Sequence, residues 1–179
     1  MPNYLGLPTR TKGLIRVVVE TPRGAAAKLA YDPKTQTFGY HRPLPIGTIY
    51  PYDWGFVPST LGDDGDPLDG LVIHQAATAP GIVIKCDLLG ALRVKQKDQD
   101  GTVMRNDRFV FCPHKEDAPD EPVAEDQVPD HLRREIEQVF PILSPGHRKD
   151  PQVQRVARYR RSAQVNQEGH EGLRRSPIG

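Results

Sequence analysis

The sequence predicts an α+β protein in which two helices pack outside a small β-barrel. Three observations lead to this prediction. Short β-branched and aromatic runs separated by Gly and Pro fill the chain up to Pro113, and apolar residues at helical spacing follow from Asp130. The 18 Pro and 16 Gly residues indicate many short elements joined by turns rather than a helical bundle.

The length of 179 residues suits one well-buried domain, which we assign to residues 1–163. Residues 164–179 form a polar tail that we expect to be disordered. The chain has no apolar run of membrane-spanning length and no signal pattern at its beginning, so a cytoplasmic location without a membrane partner is expected.

The first forty residues predict an antiparallel meander of three strands. Ile15–Glu20 is β-branched and ends before Thr21-Pro22. A second short strand is expected at Lys28–Tyr31, and the turn at 32–36 leads to a third around Phe38–Tyr40.

The next part of the chain supplies the rest of the barrel. The segment Ile49–Val57 is rich in aromatic residues, which usually form core or the wall of a pocket. Residues 82–94 predict one bent strand with a Gly at position 90 that serves two parts of the barrel. A turn at 98–101 precedes a return strand at Arg108–Cys112.

Two helices are expected after an acidic connection at 114–129. Asp130 is the N-cap of the first, whose apolar face is periodic. That face consists of Leu132, Ile136, Val139, Phe140 and Leu143. The second is predicted to start at Asp150 with Pro151 at its first position, and to place Val153, Val156 and Ala157 on one face.

Composition excludes several classes of function. A net charge of +1 argues against nucleic acid as a partner, although the segment from His147 onward is basic. The two cysteines, Cys86 and Cys112, lie in predicted strands without a CxxC spacing and are expected to be reduced core thiols. The six histidines never fall at zinc-ligand spacing, so a zinc site is not expected.

The strongest chemical signal is the acidic stretch from Gly62 to Gly70, which carries four carboxylates in nine residues. Asp64 and Asp66 point to one face of an extended chain, and Pro67 turns the chain so that Asp69 comes beside them. Carboxylates about 5 Å apart repel by roughly 3 kcal/mol per pair at an effective dielectric near 20, and a cation removes that cost. A solvated turn is the alternative interpretation of the same residues. The stretch fits an EF-hand calcium loop poorly. A site with only a few protein carboxylates suits Mg²⁺ better than Ca²⁺.

The residues around this cluster resemble the soluble family I inorganic pyrophosphatases. Asp64-Gly65-Asp66-Pro67-Leu68-Asp69 matches the Asp-x-Asp-Pro-x-Asp signature of that family. The similarity extends over residues 14–145 and keeps the family's order of functional positions. Those positions are Glu20 before a Pro, Lys28, Arg42, Tyr50-Pro51 and Gly55.

The resemblance implies a closed five-stranded OB-like barrel, Mg²⁺-dependent hydrolysis of pyrophosphate to two phosphates, and a homo-oligomer, with Mn²⁺ or Co²⁺ as possible substitutes. It implies that Asp66 orients or deprotonates the attacking water. The implied phosphate-binding residues are Lys28, Arg42, Tyr50 and Arg108, and the implied metal-facing residues are Asp64, Asp69, Asp107 and Glu20.

The sequence also departs from the family pattern. Ala30 stands where the family has a Glu, Trp54 where it has a Tyr, and Gln96 near an expected Asp. The usual Asp-x-Lys corresponds to Asn106-Asp107-Arg108, so either Asn106 or Asp107 could occupy the ligand position.

A late Tyr-Lys pair has no clear counterpart, and the nearest basic group is His147-Arg148-Lys149. These changes leave two alternatives to a pyrophosphatase. One is a phosphohydrolase of altered specificity, and the other is a catalytically silent binding protein.

Overall fold

The computed structural model describes residues 2–62, 64–97, 103–105, 107–115, 128–143 and 152–157. Within them the chain forms ten strands and one helix. The strands are β1 (Arg10–Thr11), β2 (Leu14–Thr21), β3 (Ala27–Asp32), β4 (Thr37–Pro43), β5 (Asp53–Phe56), β6 (Asp69–Val72), β7 (Val83–Lys97), β8 (Val103–Arg105), β9 (Arg108–Pro113) and β10 (Gln152–Ala157), and the helix is α1 (Asp130–Leu143). None of the described helical segments is both long and apolar enough to span a membrane.

Five strands close into the expected barrel. Around the ring, β2 pairs with β5, β5 with β6, β6 with β9 and β9 with β7, and β7 pairs back to β2. Every pairing in the ring is antiparallel except the parallel pair of β6 and β9. Closure leaves the ring without an exposed sheet edge, and it confirms the barrel prediction.

The long strand β7 bends where the sequence predicted. Its pairing with β9 shifts register between Leu88 and Gly90, so one residue bulges there. Before the bulge β7 pairs with β2, and beyond it the strand pairs with β10 and then with β8. One strand therefore serves both the closed ring and an extension of the sheet. The predicted turn at 98–101 lies outside the described residues.

The predicted three-stranded meander is wrong in its first pairing. β3 and β4 form a hairpin of their own, whereas β2 pairs with barrel strands. Side chains attach the hairpin to β2 instead: Thr21 Oγ1 donates to Leu29 O at 2.9 Å and accepts from Leu29 N at 2.9 Å. Glu20 Oε1 accepts from Tyr31 N at 2.8 Å. The alternation of residues in the sequence predicted the strands. It did not predict that side-chain hydrogen bonds from β2 would take the place of a backbone ladder between β2 and β3.

Helix α1 begins at Asp130 as predicted and covers the barrel with a narrow apolar face. Ile136, Phe140 and Leu143 are its buried residues. They pack with Leu71 of β6 and Val110 of β9. The next residues along these strands, Val72 and Phe111, point to the opposite sheet face and belong to a separate core cluster inside the barrel. The core therefore has two layers, one inside the barrel and one under α1.

The second helix is wrong: residues 152–157 form strand β10, which pairs antiparallel with β7. The segment Gln-Val-Gln-Arg-Val-Ala also fits a strand, because polar and β-branched residues alternate at its start. The backbone of β10 finds its hydrogen-bond partners on the free edge of the extended β7. A pattern within residues 152–157 alone cannot predict that this edge is available. The tail at 164–179 lies outside the described residues.

Candidate active site

The predicted site residues come from separate elements that meet at one end of the barrel. Glu20 lies at the end of β2, and Asp69 and Arg108 open β6 and β9. Lys28 and Arg42 lie on the hairpin of β3 and β4. Electrostatic interactions connect these residues with Tyr50, Asp64 and Asp66.

The acidic loop is exposed and turns tightly before β6. Gly65 has a φ of 85°, a left-handed conformation that glycine adopts without strain. Asp64 Oδ1 accepts from Asp66 N at 3.2 Å, as in the turns that Asp commonly forms. Burial is the main cause that raises the pKa of Asp69 and of Glu20; Asp64 adds to it at Asp69 and Asp66 adds to it at Glu20, so both exposed carboxylates act on the same partly buried pair.

Glu20 is a carboxyl group held in an unfavourable environment for its charge. Burial is the main cause that raises its pKa to about 7, and the carboxylates of Asp69 and Asp66 raise it further. The hydrogen bond from Tyr31 N and the Lys28 ammonium lower it. A group of this kind binds a proton or a cation near neutral pH.

Asp69 is the centre of the cluster. Its pKa is raised by burial and by Asp64, against the lowering effects of Arg108, Lys28 and a hydrogen bond from the Trp54 side chain. Arg108 Nη1 lies 2.7 Å from Asp69 Oδ2. An indole N–H can donate a hydrogen bond but cannot accept one, and the Trp54 side chain is among the groups that lower the pKa of Asp69.

Arg108 is 6% exposed and lies against two aromatic rings. Its guanidinium carbon is 5.9 Å from the Trp54 ring centroid and 5.8 Å from that of Phe140. The two rings are stacked with centroids 5.9 Å apart and planes inclined by 25°. The guanidinium and the two rings therefore form a nearly equilateral triangle. The guanidinium is within cation–π distance of both rings.

Lys28 and Arg42 are directly opposite each other across the hairpin. Residues opposite each other share a sheet face, and like charges in such a pair repel. Lys28 acts on the carboxylates of Glu20 and Asp69, and Arg42 lowers the pKa of Tyr50. Arg42 Nη2 also donates to Leu143 O at the end of α1, and this contact was not predicted.

Tyr50 is 2% exposed, and burial raises its pKa to about 12. Asp69 and Glu20 raise this pKa as well, so the hydroxyl is close to the carboxylate cluster. Its ring packs edge-on against Trp54, with centroids 6.0 Å apart. Tyr50 thus belongs to the core and borders the site, combining the two interpretations of the aromatic segment.

The carboxylates are chemically suited to a divalent cation, although they do not enclose one alone. Among the described side chains, no three His, Cys, Asp or Glu residues converge closely enough to do so. Glu20 and Asp69 nevertheless repel each other within partly buried surroundings, and oxygen donors with space for water are what Mg²⁺ prefers. Asp107 is half-buried beside Arg108, and its place among the ligands stays a prediction.

Sequence reasoning gave no role to a buried network beside the site. Asp53 is 0% exposed and accepts from Arg23 N at 2.7 Å and Thr78 Oγ1 at 2.6 Å. His74 Nε2 lies 2.7 Å from the same carboxylate. A buried carboxylate needs such hydrogen-bond partners. The signal in the sequence that could have predicted this network is the presence of an Asp within the aromatic segment. Asn106 and the basic group at 147–149 lie outside the described residues.

Comparisons with known proteins agree with this geometry. Residues 17–174 match the family model described as inorganic pyrophosphatase. The inorganic pyrophosphatase of Thermus thermophilus is 36% identical over 147 residues, 78% of each chain. That of Synechocystis is 45% identical over 89 residues, which are 49% of this chain and 53% of that protein.

A crystal structure of the Thermus thermophilus enzyme also shares this fold. It superposes with a TM-score of 0.67 at 32% identity, again over 78% of each chain. The match of the family model to most of the sequence confirms the resemblance that the acidic signature indicated. The chain therefore belongs to the inorganic pyrophosphatase family.

Proposed function

We propose that this protein hydrolyses inorganic pyrophosphate to two phosphates in a reaction that requires a divalent cation, with Mg²⁺ the expected ion. The observation that carries the proposal is the opposition of two sets of charges. Lys28 and Arg42 form a cross-strand cationic pair, and Lys28 acts on the carboxylates Glu20 and Asp69. A substrate that is both anionic and able to bind a metal ion satisfies both sets.

The acidic set would hold the cation. Asp64 and Asp69 are the proposed ligands, and Glu20 and Asp107 are proposed to face the metal. A bound divalent cation supplies Lewis acidity and lowers the pKa of a coordinated water. Asp66 is exposed at the same loop, where it is proposed to accept a proton from the attacking water or orient it.

The basic set would hold the phosphates. Arg108 is paired with Asp69, and Lys28 and Arg42 lie opposite each other on the hairpin of β3 and β4. Pyrophosphate carries roughly three to four negative charges, and these side chains would neutralise the phosphate that leaves. Tyr50 would contribute a protonated hydroxyl, because its pKa is raised to about 12.

Phosphate release from pyrophosphate tests the proposal. Wild-type protein should release phosphate only when Mg²⁺, Mn²⁺ or Co²⁺ is present, and Asp66→Asn and Asp69→Ala should each lower the rate by about 10²-fold or more. Exposed Asp32 on the far end of the hairpin offers a matched control, so Asp32→Asn should retain the rate. Release that is independent of metal and indifferent to both site substitutions would refute the proposal.

Hydrolysis rates for a panel of nucleoside and sugar diphosphates test the alternative of altered specificity. Pyrophosphate should be the best substrate of the panel. A silent binding protein would instead gain thermal stability from pyrophosphate without releasing phosphate. A homo-oligomeric state and a cytoplasmic location remain predictions of the resemblance and the sequence. Light scattering and cell fractionation test them.

A further inference from the structure

We propose that Trp54 and Phe140 are positioning residues that hold the Arg108 guanidinium in the orientation in which it binds Asp69 and meets the anionic substrate. This inference rests on the proposed function, because it gives Arg108 a substrate to meet. It adds two apolar side chains to a site otherwise described by its charges. Neither ring is proposed to touch the reacting atoms.

The contacts make one connected unit from three separate parts of the chain. Trp54 lies on β5, Arg108 on β9 and Phe140 on α1, and all three are at most 7% exposed. The guanidinium carbon is 5.9 and 5.8 Å from the two ring centroids. Trp54 also influences the other member of the ion pair, since its side chain lowers the pKa of Asp69.

The chemistry of arginine explains why rings are needed here. Burying a guanidinium is costly unless it is paired and well packed, and an Arg side chain loses rotamer freedom when it is held in one orientation. A guanidinium is planar and weakly hydrated, so aromatic rings accommodate it better than they accommodate an ammonium group. Immobilising Arg108 before the substrate arrives avoids an ordering cost on binding.

A competing explanation is that Phe140 only docks helix α1. Ile136 provides the matched control, because it lies one turn earlier on α1, is 2% exposed and packs in the same cluster. If docking alone matters, Ile136→Ala and Phe140→Leu should have equal effects. If Phe140 acts through Arg108, only Phe140→Leu should affect the anion, and only while Arg108 is present.

The test is a double-mutant cycle on the binding of methylenediphosphonate, a non-hydrolysable diphosphate, measured by calorimetry with Mg²⁺ present. Phe140→Leu should weaken binding by about fivefold to tenfold in the wild-type background and by less than about twofold in an Arg108→Gln background. Phe140→Tyr keeps an aromatic ring and should retain wild-type affinity. Ile136→Ala should also leave the affinity unchanged. An equal loss in Ile136→Ala, or an undiminished loss beside Arg108→Gln, would overturn the proposal.

A second measurement does not depend on substrate binding. In arginine side-chain NMR, the Arg108 signal, assigned by its loss in Arg108→Lys, should show slow rotation about the Nε–Cζ bond. Phe140→Leu should accelerate this rotation, whereas Ile136→Ala should not. Fast rotation in the wild type would overturn the positioning role. Failure of the wild type to bind any diphosphate would instead refute the proposed function, so the two failures are distinguishable.

Discussion

Replacing Glu20 by Gln removes a partly buried carboxyl group while keeping an oxygen that can accept the hydrogen bond from Tyr31 N. The pKa of Glu20 is raised from 4.5 to about 7, chiefly by burial. Its ionisation therefore opposes folding. The contribution of this group to stability is fully present below pH 4.5 and is lost as the pH rises through 7.

The size of the effect follows from the shift. One pKa unit corresponds to about 1.36 kcal/mol, so ionisation of Glu20 costs at most about 3 kcal/mol, of which about 2.5 kcal/mol develops between pH 5 and pH 8. In a domain of this size, 1 kcal/mol changes the melting temperature by about 2–4 °C. The melting temperature of Glu20→Gln should therefore rise relative to wild type by about 5–10 °C between pH 5 and pH 8.

Calorimetric melting in EDTA across this pH range measures the difference without bound metal. Asp32→Asn is the control, because hydrogen bonds from Lys34 and Thr35 lower the pKa of Asp32 below 3.8. The contribution of Asp32 to stability changes only at lower pH. The difference in melting temperature between Asp32→Asn and wild type should therefore be constant between pH 5 and pH 8. A constant difference for Glu20→Gln as well would refute the reasoning that burial and neighbouring carboxylates raise the pKa of Glu20.

Three further predictions concern backbone packing, the buried network and the metal. Gly55→Ala should destabilise the fold by about 3 kcal/mol or more in urea unfolding, because its Cβ would lie 1.9 Å from a backbone oxygen of β2, while Gly39→Ala, with open space around it, should be nearly neutral. Asp53→Ala should cost about 3–5 kcal/mol in the same assay, because three partly buried partners lose their acceptor. Ala30→Glu combined with Gln96→Asp should raise Mg²⁺ affinity; unchanged calorimetric binding would contradict the assignment of these positions to accessory metal sites.

Much of the fold was predictable because it follows from local patterns. β-Branched and aromatic runs identified the barrel strands, and the Gly at position 90 marked the bend of β7. The two errors concern β2 and β10, whose strand partners are distant in sequence. β2 pairs with β5 and β7 rather than with the nearby β3, and β10 forms on an edge that exists only once β7 extends beyond the ring.

The site shows the same division. The acidic signature marked Asp64, Asp66 and Asp69 because their spacing alone indicates metal chemistry. The triangle of Trp54, Arg108 and Phe140 was not predictable, since β5, β9 and α1 meet only in the folded chain. Patterns in sequence reveal which charges a site has, whereas the apolar groups that orient those charges are indistinguishable from core.

The most direct test of the central claim is a phosphorus NMR spectrum of pyrophosphate incubated with the purified protein and Mg²⁺. Hydrolysis should convert the pyrophosphate signal into that of orthophosphate alone, and the conversion should stop when EDTA is added or Asp66→Asn replaces the wild type. An unchanged pyrophosphate signal with wild-type protein and Mg²⁺, or equal conversion by Asp66→Asn, would contradict the assignment of pyrophosphate hydrolysis to this site.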